Sequence, residues 1–186
     1  MKKITIVFLT VCVALAAGCR WVGVRGNGHI KTDDRTISAF TEIDAGGAFE
    51  IEWESGSPSL HITTDENLLS YVESDVSGDT LRLRTHDQIW PTHGIKIVIS
   101  SPTRAGVRIR GAVKLTAKQL TGSKFALEAS GASHVSLDGN VDELLADMTG
   151  AETLKVAITG AGKVSYSGNP TIEKHITGAG SIRRKK

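Results

Sequence analysis

The chain of 186 residues is poor in cysteine, proline and aromatic side chains. It has two cysteines and four prolines, and Phe, Trp and Tyr together form 5% of its residues. Cys12 lies inside an apolar N-terminal run, which leaves Cys19 without a partner for an internal disulfide in the rest of the chain. The chain also lacks an excess of positive or of negative charge. Once Lys2 and Lys3 are set aside, the basic and acidic residues balance at 20 each, which argues against nucleic acid as a partner.

The N-terminus has the pattern of an export signal. Lys2 and Lys3 precede an apolar run over residues 4–17, which is shorter than the about 20 residues that a membrane-spanning helix needs. The end of the run, Leu15-Ala16-Ala17-Gly18-Cys19, resembles the lipobox of bacterial lipoproteins, in which the cysteine is acylated and becomes the first residue. Ordinary secretion, with Cys19 left as a spare thiol, is the alternative.

We therefore predict a lipoprotein signal peptide over residues 1–18, a lipidated tether over 19–36 and one folded domain over 37–186. The lipid on Cys19 is a diacylglycerol with a further N-linked acyl chain such as palmitate, because two or more chains anchor a protein stably where one does not. No other cofactor is predicted. Arg20, rather than Asp, follows the cysteine, and resemblance to Gram-negative lipoproteins then implies the outer membrane.

Strand patterns dominate the rest of the chain, and only Leu68-Leu69-Ser70-Tyr71-Val72 is a candidate for a single helical turn. Phe49, Ile51 and Trp53 alternate with glutamates, as in a half-buried strand, so Trp53 is predicted to lie in the core. In the second half, a glycine followed by a small residue recurs and each time precedes alternating apolar residues. These steps are at Gly111, Gly131, Gly150, Gly160 and Gly178.

The spacing of these glycine steps, mostly about 20 residues, predicts a β-solenoid. One circuit cannot bury its inner face alone, but circuits stacked about 4.8 Å apart build a continuous core. A β-sandwich with Gly-rich hairpins is the alternative. It is less favoured because sandwich hairpins usually contain Asn-Gly or Asp-Gly turns, which this half of the sequence lacks apart from Asp138-Gly139.

Four segments then occur in a distinctive order before the glycine-rich half: Phe40-Thr41-Glu42-Ile43, Gly46-Gly47-Ala48-Phe49-Glu50-Ile51, Thr64-Asp65-Glu66-Asn67-Leu68-Leu69 and Gly78-Asp79-Thr80-Leu81. This order, over residues 38–182, resembles the head GIN domain of auto-transporter adhesins, a domain of unknown function. The resemblance implies an all-β, right-handed parallel β-helix with Gly-rich corners at the bacterial cell envelope. It implies no catalytic residues.

The sequence offers few candidate site residues. Glycan-cleaving enzymes need paired carboxylates in a groove, whereas the acidic residues between 138 and 152 are expected on a solvated outer face, so we predict no catalytic residues. The six histidines lack the spacing of metal ligands, and no metal site is predicted. His86 and His93 flank the loop that contains Trp90. These three residues are the candidate binding residues, with Trp90 the leading one.

These features together predict a non-enzymatic cell-envelope lipoprotein that serves adhesion or envelope scaffolding. Its partners would be the membrane, through the lipid anchor, and a glycan or envelope protein as ligand. The alternative function is a β-helix protein that binds or cleaves glycans. The sequence does not predict an oligomeric state.

Overall fold

The computed structural model of the chain describes residues 23–150, 152–159 and 162–185. The predicted signal peptide and Cys19 lie outside the described residues. The all-β prediction is confirmed, and a 3-10 helix at Glu66–Tyr71 occupies the site of the predicted helical turn. Within the described residues the strands are β1 (Val24–Arg25), β2 (Ile30–Arg35), β3 (Glu42–Gly47), β4 (Glu50–Ser55), β5 (Ser59–Asp65), β6 (Val72–Ser77), β7 (Thr80–Thr85), β8 (Ile89–Trp90), β9 (Lys96–Ser101), β10 (Gly106–Gly111), β11 (Lys114–Gly131), β12 (His134–Gly150), β13 (Thr153–Thr159), β14 (Lys163–Ser167), β15 (Thr171–Thr177) and β16 (Ser181–Arg184).

Fourteen of the described strands form one curled, open sheet, and β1 and β8 form a separate parallel ribbon. The strands β11 and β12, of 18 and 17 residues, each take part in two rows of strands. Their N-terminal parts pair with β4 and β13, whereas their C-terminal parts pair with β10 and β14. The sheet therefore consists of two rows of strands that share β11 and β12.

Strand pairs in the second half of the described chain are all parallel. Gly106 is opposite Ala126, Lys114 is opposite His134, and His134 is opposite Thr153, so paired residues lie about 20 positions apart in the sequence. A sandwich built from hairpins requires antiparallel neighbours. The sandwich alternative therefore does not describe this half.

Strand pairs in the first half include antiparallel ones. β5 lies antiparallel between β2 and β9, and β6 is antiparallel to β7. The parallel β-helix that the family resemblance implies therefore does not describe the strand pairing of this half. Between β6 and β7 the chain reverses in a tight turn at Gly78, whose φ of 60° suits a hairpin.

Part of the predicted tether, residues 19–36, belongs to the folded domain. β1 pairs with β8, and β2 pairs with β5 along its whole length. Arg35 donates hydrogen bonds to the carbonyl oxygens of Val72 (2.6 Å) and Leu69 (2.9 Å). The tether prediction does not hold for these two strands, because β2 is paired with the main sheet and β1 is paired with β8 in the separate ribbon.

The residues of predicted inward parity form one core. Trp53 is 1% exposed, as predicted, and its ring centroid lies 6.2 Å from that of Phe40 and 6.1 Å from that of Phe125. The alternation continues through β10 to β14, where the buried residues include Val107, Ile109, Leu115, Leu127, Val135, Leu144, Leu154, Val156 and Val164. At β15 the core becomes accessible to solvent. Lys174 is paired with the buried Val156 and occupies the inward position, yet it is exposed.

The glycine steps form a column of backbone contacts at one corner. Gly111 is opposite Gly47 on one side and Gly131 on the other. Its φ of 106° lies in the region that favours glycine, and a Cβ built on it would lie 2.5 Å from the carbonyl oxygen of Gly47. That oxygen accepts a hydrogen bond from the amide of Ala112 at 2.9 Å. Glycine is required here because the ends of neighbouring parallel strands are in direct backbone contact.

Candidate functional site

A β-bulge interrupts the pairing of β11 with β12. Ala117 is opposite Leu137 and Leu120 is opposite Gly139, so two residues of β11, Lys118 and Gln119, stand against one residue of β12. Gln119 has a φ of 54°, which is unusual for a residue other than glycine. Such strained positions persist only where neighbouring groups hold them, and they are frequent at functional sites.

The group that holds the bulge is Arg104, which is 5% exposed. Its guanidinium donates hydrogen bonds to the carbonyl oxygens of Lys118 (2.7 Å), Trp53 (3.1 Å) and Gln119. Burial lowers the pKa of Arg104, yet a guanidinium starts from so high a value that it keeps its charge. The planar fork of Arg104 therefore links β4 to the bulge with directed, charge-assisted bonds.

A cavity of about 500 Å³ opens beside the bulge, and we refer to it as the bulge pocket. Its volume falls in the range of sites for small ligands. Trp53 contributes to its wall but is almost fully buried, so the accessible groups are polar. The lining residues are Glu52, Trp53, Glu54, Ser55, Thr116, Lys118, Gln119 and Asp138.

Most polar side chains of the bulge pocket have no protein partner. Glu52 forms an ion pair with Lys96 at 3.2 Å, but the side chains of Glu54, Thr116 and Asp138 make no hydrogen bond or ion pair with any described residue. Elsewhere on the outer faces many charges are paired. One example is the carboxylate of Asp44, which accepts hydrogen bonds from Arg110 at 2.8 and 2.9 Å. The pocket thus offers carboxylate, hydroxyl, amide and ammonium groups to a ligand.

The predicted candidate Trp90 lies on β8 and is 38% exposed. It borders a shallow groove of about 340 Å³ together with Arg25, Gly26, Pro91 and Thr92. The backbone amide of Gly26 donates to the carbonyl oxygen of Trp90 at 2.9 Å, which fixes the N-terminal segment beside it. The exposed position expected for Trp90 is what the structure shows, and the groove is a second concave surface.

The two predicted histidines make separate contacts. His86 stacks on Tyr71 with ring centroids 4.7 Å apart, and its Nδ1 lies 3.2 Å from a carboxylate oxygen of Asp87. His93 lies beside Thr92, with 2.9 Å between its Nδ1 and the hydroxyl oxygen. In the described part of the chain, no three His, Cys, Asp or Glu side chains are grouped as metal ligands would be.

Glu152 departs from the expectation of a solvated outer face, since it is 5% exposed. It follows the corner at Gly150, as Ser133 follows the corner at Gly131, and these corner positions point inward. Neither carboxylate oxygen of Glu152 nor the hydroxyl of Ser133 has a hydrogen-bond partner among the described residues. Burial raises the pKa of Glu152.

The bulge pocket was not predicted from the sequence. One signal was present: Leu120 is buried although it is out of phase with Val113, Leu115 and Ala117, and such a phase shift indicates an extra residue. No local pattern identifies Arg104, because its partners are backbone carbonyls that lie 14 to 51 residues away in the sequence.

Among the described residues, no helix has the length and apolar composition required to cross a membrane. No curated protein sequence matches the chain significantly. Several solved structures share its fold. An adhesin-type protein of Bacteroides fragilis, described as a "putative adhesin", has a TM-score of 0.59 at 20% identity and covers 88% of this chain and 100% of its own.

Two further structures described in the same words come from Parabacteroides species. The protein of Parabacteroides distasonis has a TM-score of 0.54 at 16% identity and covers 88% of this chain and 100% of its own. That of Parabacteroides merdae has a TM-score of 0.50 at 20% identity, with 88% and 99% covered. At these identities the likeness shows a shared fold. The model of the family described as "Putative auto-transporter adhesin, head GIN domain" matches residues 39–155, more than half of the chain, and the chain therefore belongs to that family.

Proposed function

We propose that this protein is a non-enzymatic adhesion or scaffolding protein of the bacterial cell envelope, held at the outer membrane by a lipid on Cys19. The single observation that carries the proposal is the match of the adhesin head domain over residues 39–155. The lipobox-like run before Cys19 supports the tether. A rigid stack of strands on a short lipid tether is suited to presenting an outer surface to partners.

The architecture that we propose for the second half is the right-handed parallel β-helix that the family resemblance implies. Two observations support it. The parallel pairs recur with about 20 residues per circuit, and the glycine corners contact each other from circuit to circuit. The domain is proposed to continue to residue 186.

A second candidate function is glycan binding or cleavage, and the bulge pocket favours its binding form. Sugar hydroxyls bind to carboxylates, amides and hydroxyls, which are the groups that Glu54, Gln119, Asp138 and Thr116 offer. The carboxylates outnumber the single ammonium of Lys118, so a neutral or amine-bearing sugar fits the charge of the site better than an acidic one.

Lipid labelling tests the tether. Cells that express the full chain are grown with radioactive palmitate, and the outer membrane is separated from soluble fractions. The unaltered protein is expected to carry label and to sediment with the membrane, whereas Cys19→Ala should lose both properties. Cys12→Ala is the matched control, because Cys12 lies within the predicted signal and should leave both unchanged. Unlabelled, soluble wild-type protein would contradict the tether.

A glycan array tests the bulge pocket with purified protein. The double variant Glu54→Gln/Asp138→Asn should lose binding to the glycans that the unaltered protein recognises. Glu73→Gln/Asp75→Asn is a matched control, since these two acids are exposed on β6 away from the pocket lining. Equal binding by both variants would exclude the pocket. Mass spectrometry of the bound glycans separates binding from cleavage, and we expect intact glycans.

A further inference from the structure

We propose that the end of the molecule that carries Trp90 and Ile30 rests on the lipid bilayer to which Cys19 is attached. This inference rests on the proposed lipidation of Cys19. It adds an orientation: the β1/β8 ribbon faces the membrane, and the last circuits of the sheet point away from it. We call the surface formed by Arg25, Ile30, Trp90 and Pro91 the bilayer end.

The bilayer end holds both large hydrophobic side chains that are exposed in the described part of the chain. Ile30 is 45% exposed and Trp90 is 38% exposed. Trp90 also lines the shallow groove with Arg25 and Pro91. A single exposed apolar residue needs no explanation, but two of them at one end of a molecule point to a covered surface.

One buried carboxylate places these two residues at the same end. Asp65 accepts hydrogen bonds from the amide of Gly28 (2.7 Å) and from the amide and hydroxyl of Thr92 (2.8 Å each). Gly28 is two residues from Ile30, which is itself paired with Asp65, and Thr92 is two residues from Trp90. The two apolar side chains are therefore carried by segments that a shared set of hydrogen bonds holds together.

The length of the tether argues that a bilayer covers this end. The first described residue, Gly23, lies against the indole of Trp90, since a Cβ on Gly23 would be 2.5 Å from its Nε1. Only four peptide steps separate Cys19 from Gly23, and a fully extended chain of that length spans at most about 14 Å. The headgroup layer on one side of a bilayer is about 6 Å thick. A lipidated Cys19 thus keeps Trp90 within or just above the headgroups.

The chemistry of the bilayer end suits that position. Tryptophan favours the membrane interface, where its ring is partly desolvated while its N–H stays near polar groups. Arg25 lies opposite Trp90 in the ribbon, and its guanidinium has no hydrogen-bond or ion-pair partner among the described residues, which leaves it available to lipid phosphates. A protein partner could also cover two apolar residues, but it would have to fit between them and the bilayer, within the about 14 Å that the tether spans.

A fluorescent label tests the orientation in the full, lipidated chain. Because acylation uses the thiol of Cys19, Ile30→Cys provides one reactive thiol for an environment-sensitive NBD label. Lys174→Cys provides the matched control on β15, where Lys174 is also exposed. Both proteins are reconstituted into phosphatidylethanolamine/phosphatidylglycerol vesicles with or without nitroxide-bearing lipid.

We expect the label at position 30 to shift its emission to the blue in vesicles and to lose intensity with nitroxide lipid, while the label at 174 does neither. Adding Trp90→Ser to the Ile30→Cys protein should reduce the shift, with circular dichroism confirming the fold. Equal responses at 30 and 174 in protein that carries palmitate overturn the orientation and leave the tether intact. A blue shift without quenching by nitroxide lipid also overturns it, because the cover would then be protein. Absence of palmitate overturns the tether itself.

Discussion

At the scale of single residues, Asp65 joins three segments by hydrogen bonds from Gly28 and Thr92. Burial raises its pKa, but these hydrogen bonds to the ionised form outweigh burial and hold the pKa below its ordinary value of 3.8. A lowered carboxyl pKa contributes stability that is present above the unfolded value and is lost as pH falls through the folded one. Asp65 therefore stabilises the N-terminal segment at neutral pH and releases it in acid.

We expect Asp65→Asn to lower the free energy of unfolding by about 1.5–3 kcal/mol at pH 7, because charge-assisted hydrogen bonds are lost. Urea unfolding at pH 7 and again at about pH 2 measures the effect, which should shrink at the lower pH, because the stability from a carboxyl of lowered pKa is lost as pH falls through the folded value. Glu73→Gln is the control: it removes a charge from an exposed acid on β6. A pH-independent difference between Asp65→Asn and the unaltered protein would contradict this account.

Glu152 is the opposite case. Burial raises its pKa above 4.5, and the nearby amide of Thr149, which acts in the other direction without a hydrogen bond of good geometry, does not offset it. A carboxyl with a raised folded pKa favours the folded state most below its unfolded value, and that advantage is lost as pH rises through the folded value. At neutral pH, Glu152 is therefore a destabilising residue at the corner that follows Gly150.

We expect Glu152→Met to raise the free energy of unfolding by about 1 kcal/mol or more at pH 8, because an unsatisfied buried group is replaced by an apolar one of similar length. Thermal unfolding at pH 8 and pH 4 measures it, and the gain should be smaller at pH 4. Glu73→Met, on an exposed face, should show no such gain. A loss of stability at pH 8 would show that Glu152 has a stabilising partner.

At the scale of elements, the glycine corners decide whether successive circuits can stack. Gly131 has a φ of 115°, and a Cβ on it would lie 2.6 Å from the carbonyl oxygen of Gly111. Gly122 has a φ of 141°, but a Cβ there would meet nothing within 4 Å. Both glycines thus have a positive φ that favours glycine, but only Gly131 also lies too close to a neighbouring backbone to accept a Cβ.

We expect Gly122→Ala to cost about 1–3 kcal/mol through backbone strain alone, and Gly131→Ala to cost clearly more because two backbones are forced apart. Each kcal/mol lowers the melting temperature by about 2–4 °C in a chain of this size. Thermal unfolding of the two variants measures the difference. Equal melting temperatures would mean that the corner relaxes without loss.

The sequence predicted those elements whose cause is periodic. Alternation located the inward residues of β10 to β14, and the glycine spacing predicted the length of a circuit. Residues 30–35 were assigned to the tether, because Arg35 and Asp65 attach that segment through polar contacts that leave no periodic trace. For a related reason the bulge pocket was not predicted, since Arg104 binds carbonyl groups from distant segments. The exposure of Trp90 could be predicted, because an aromatic residue beside proline in a polar segment has few apolar neighbours to bury it; its role in binding stays a prediction.

At the scale of the whole molecule, the sheet ends in unprotected strands. Among the described residues, β15 pairs with β13 alone and β16 with β14 alone. Such edges invite pairing with another chain, and an inward-pointing lysine is one way in which proteins prevent it. Lys174 has that position, between Ile172 and Ile176, which are only half-buried.

We expect Lys174→Ile to promote edge-to-edge association, because it completes an apolar row on an exposed end of the core. Light scattering coupled to size-exclusion chromatography measures the mass over a range of concentrations. Lys174→Gln, which keeps a polar side chain, should behave as the unaltered protein does. An unchanged mass for Lys174→Ile would mean that the edge is protected by something other than the lysine.

Because the strands are parallel and in register, the height of the molecule can be calculated from the number of glycine corners in its sequence. Each further circuit of about 20 residues adds one strand spacing of about 4.8 Å. An added circuit beyond β12 would leave the bulge pocket and the bilayer end unchanged. Relatives with more or fewer glycine corners are then expected to carry the same two surfaces and to differ in height.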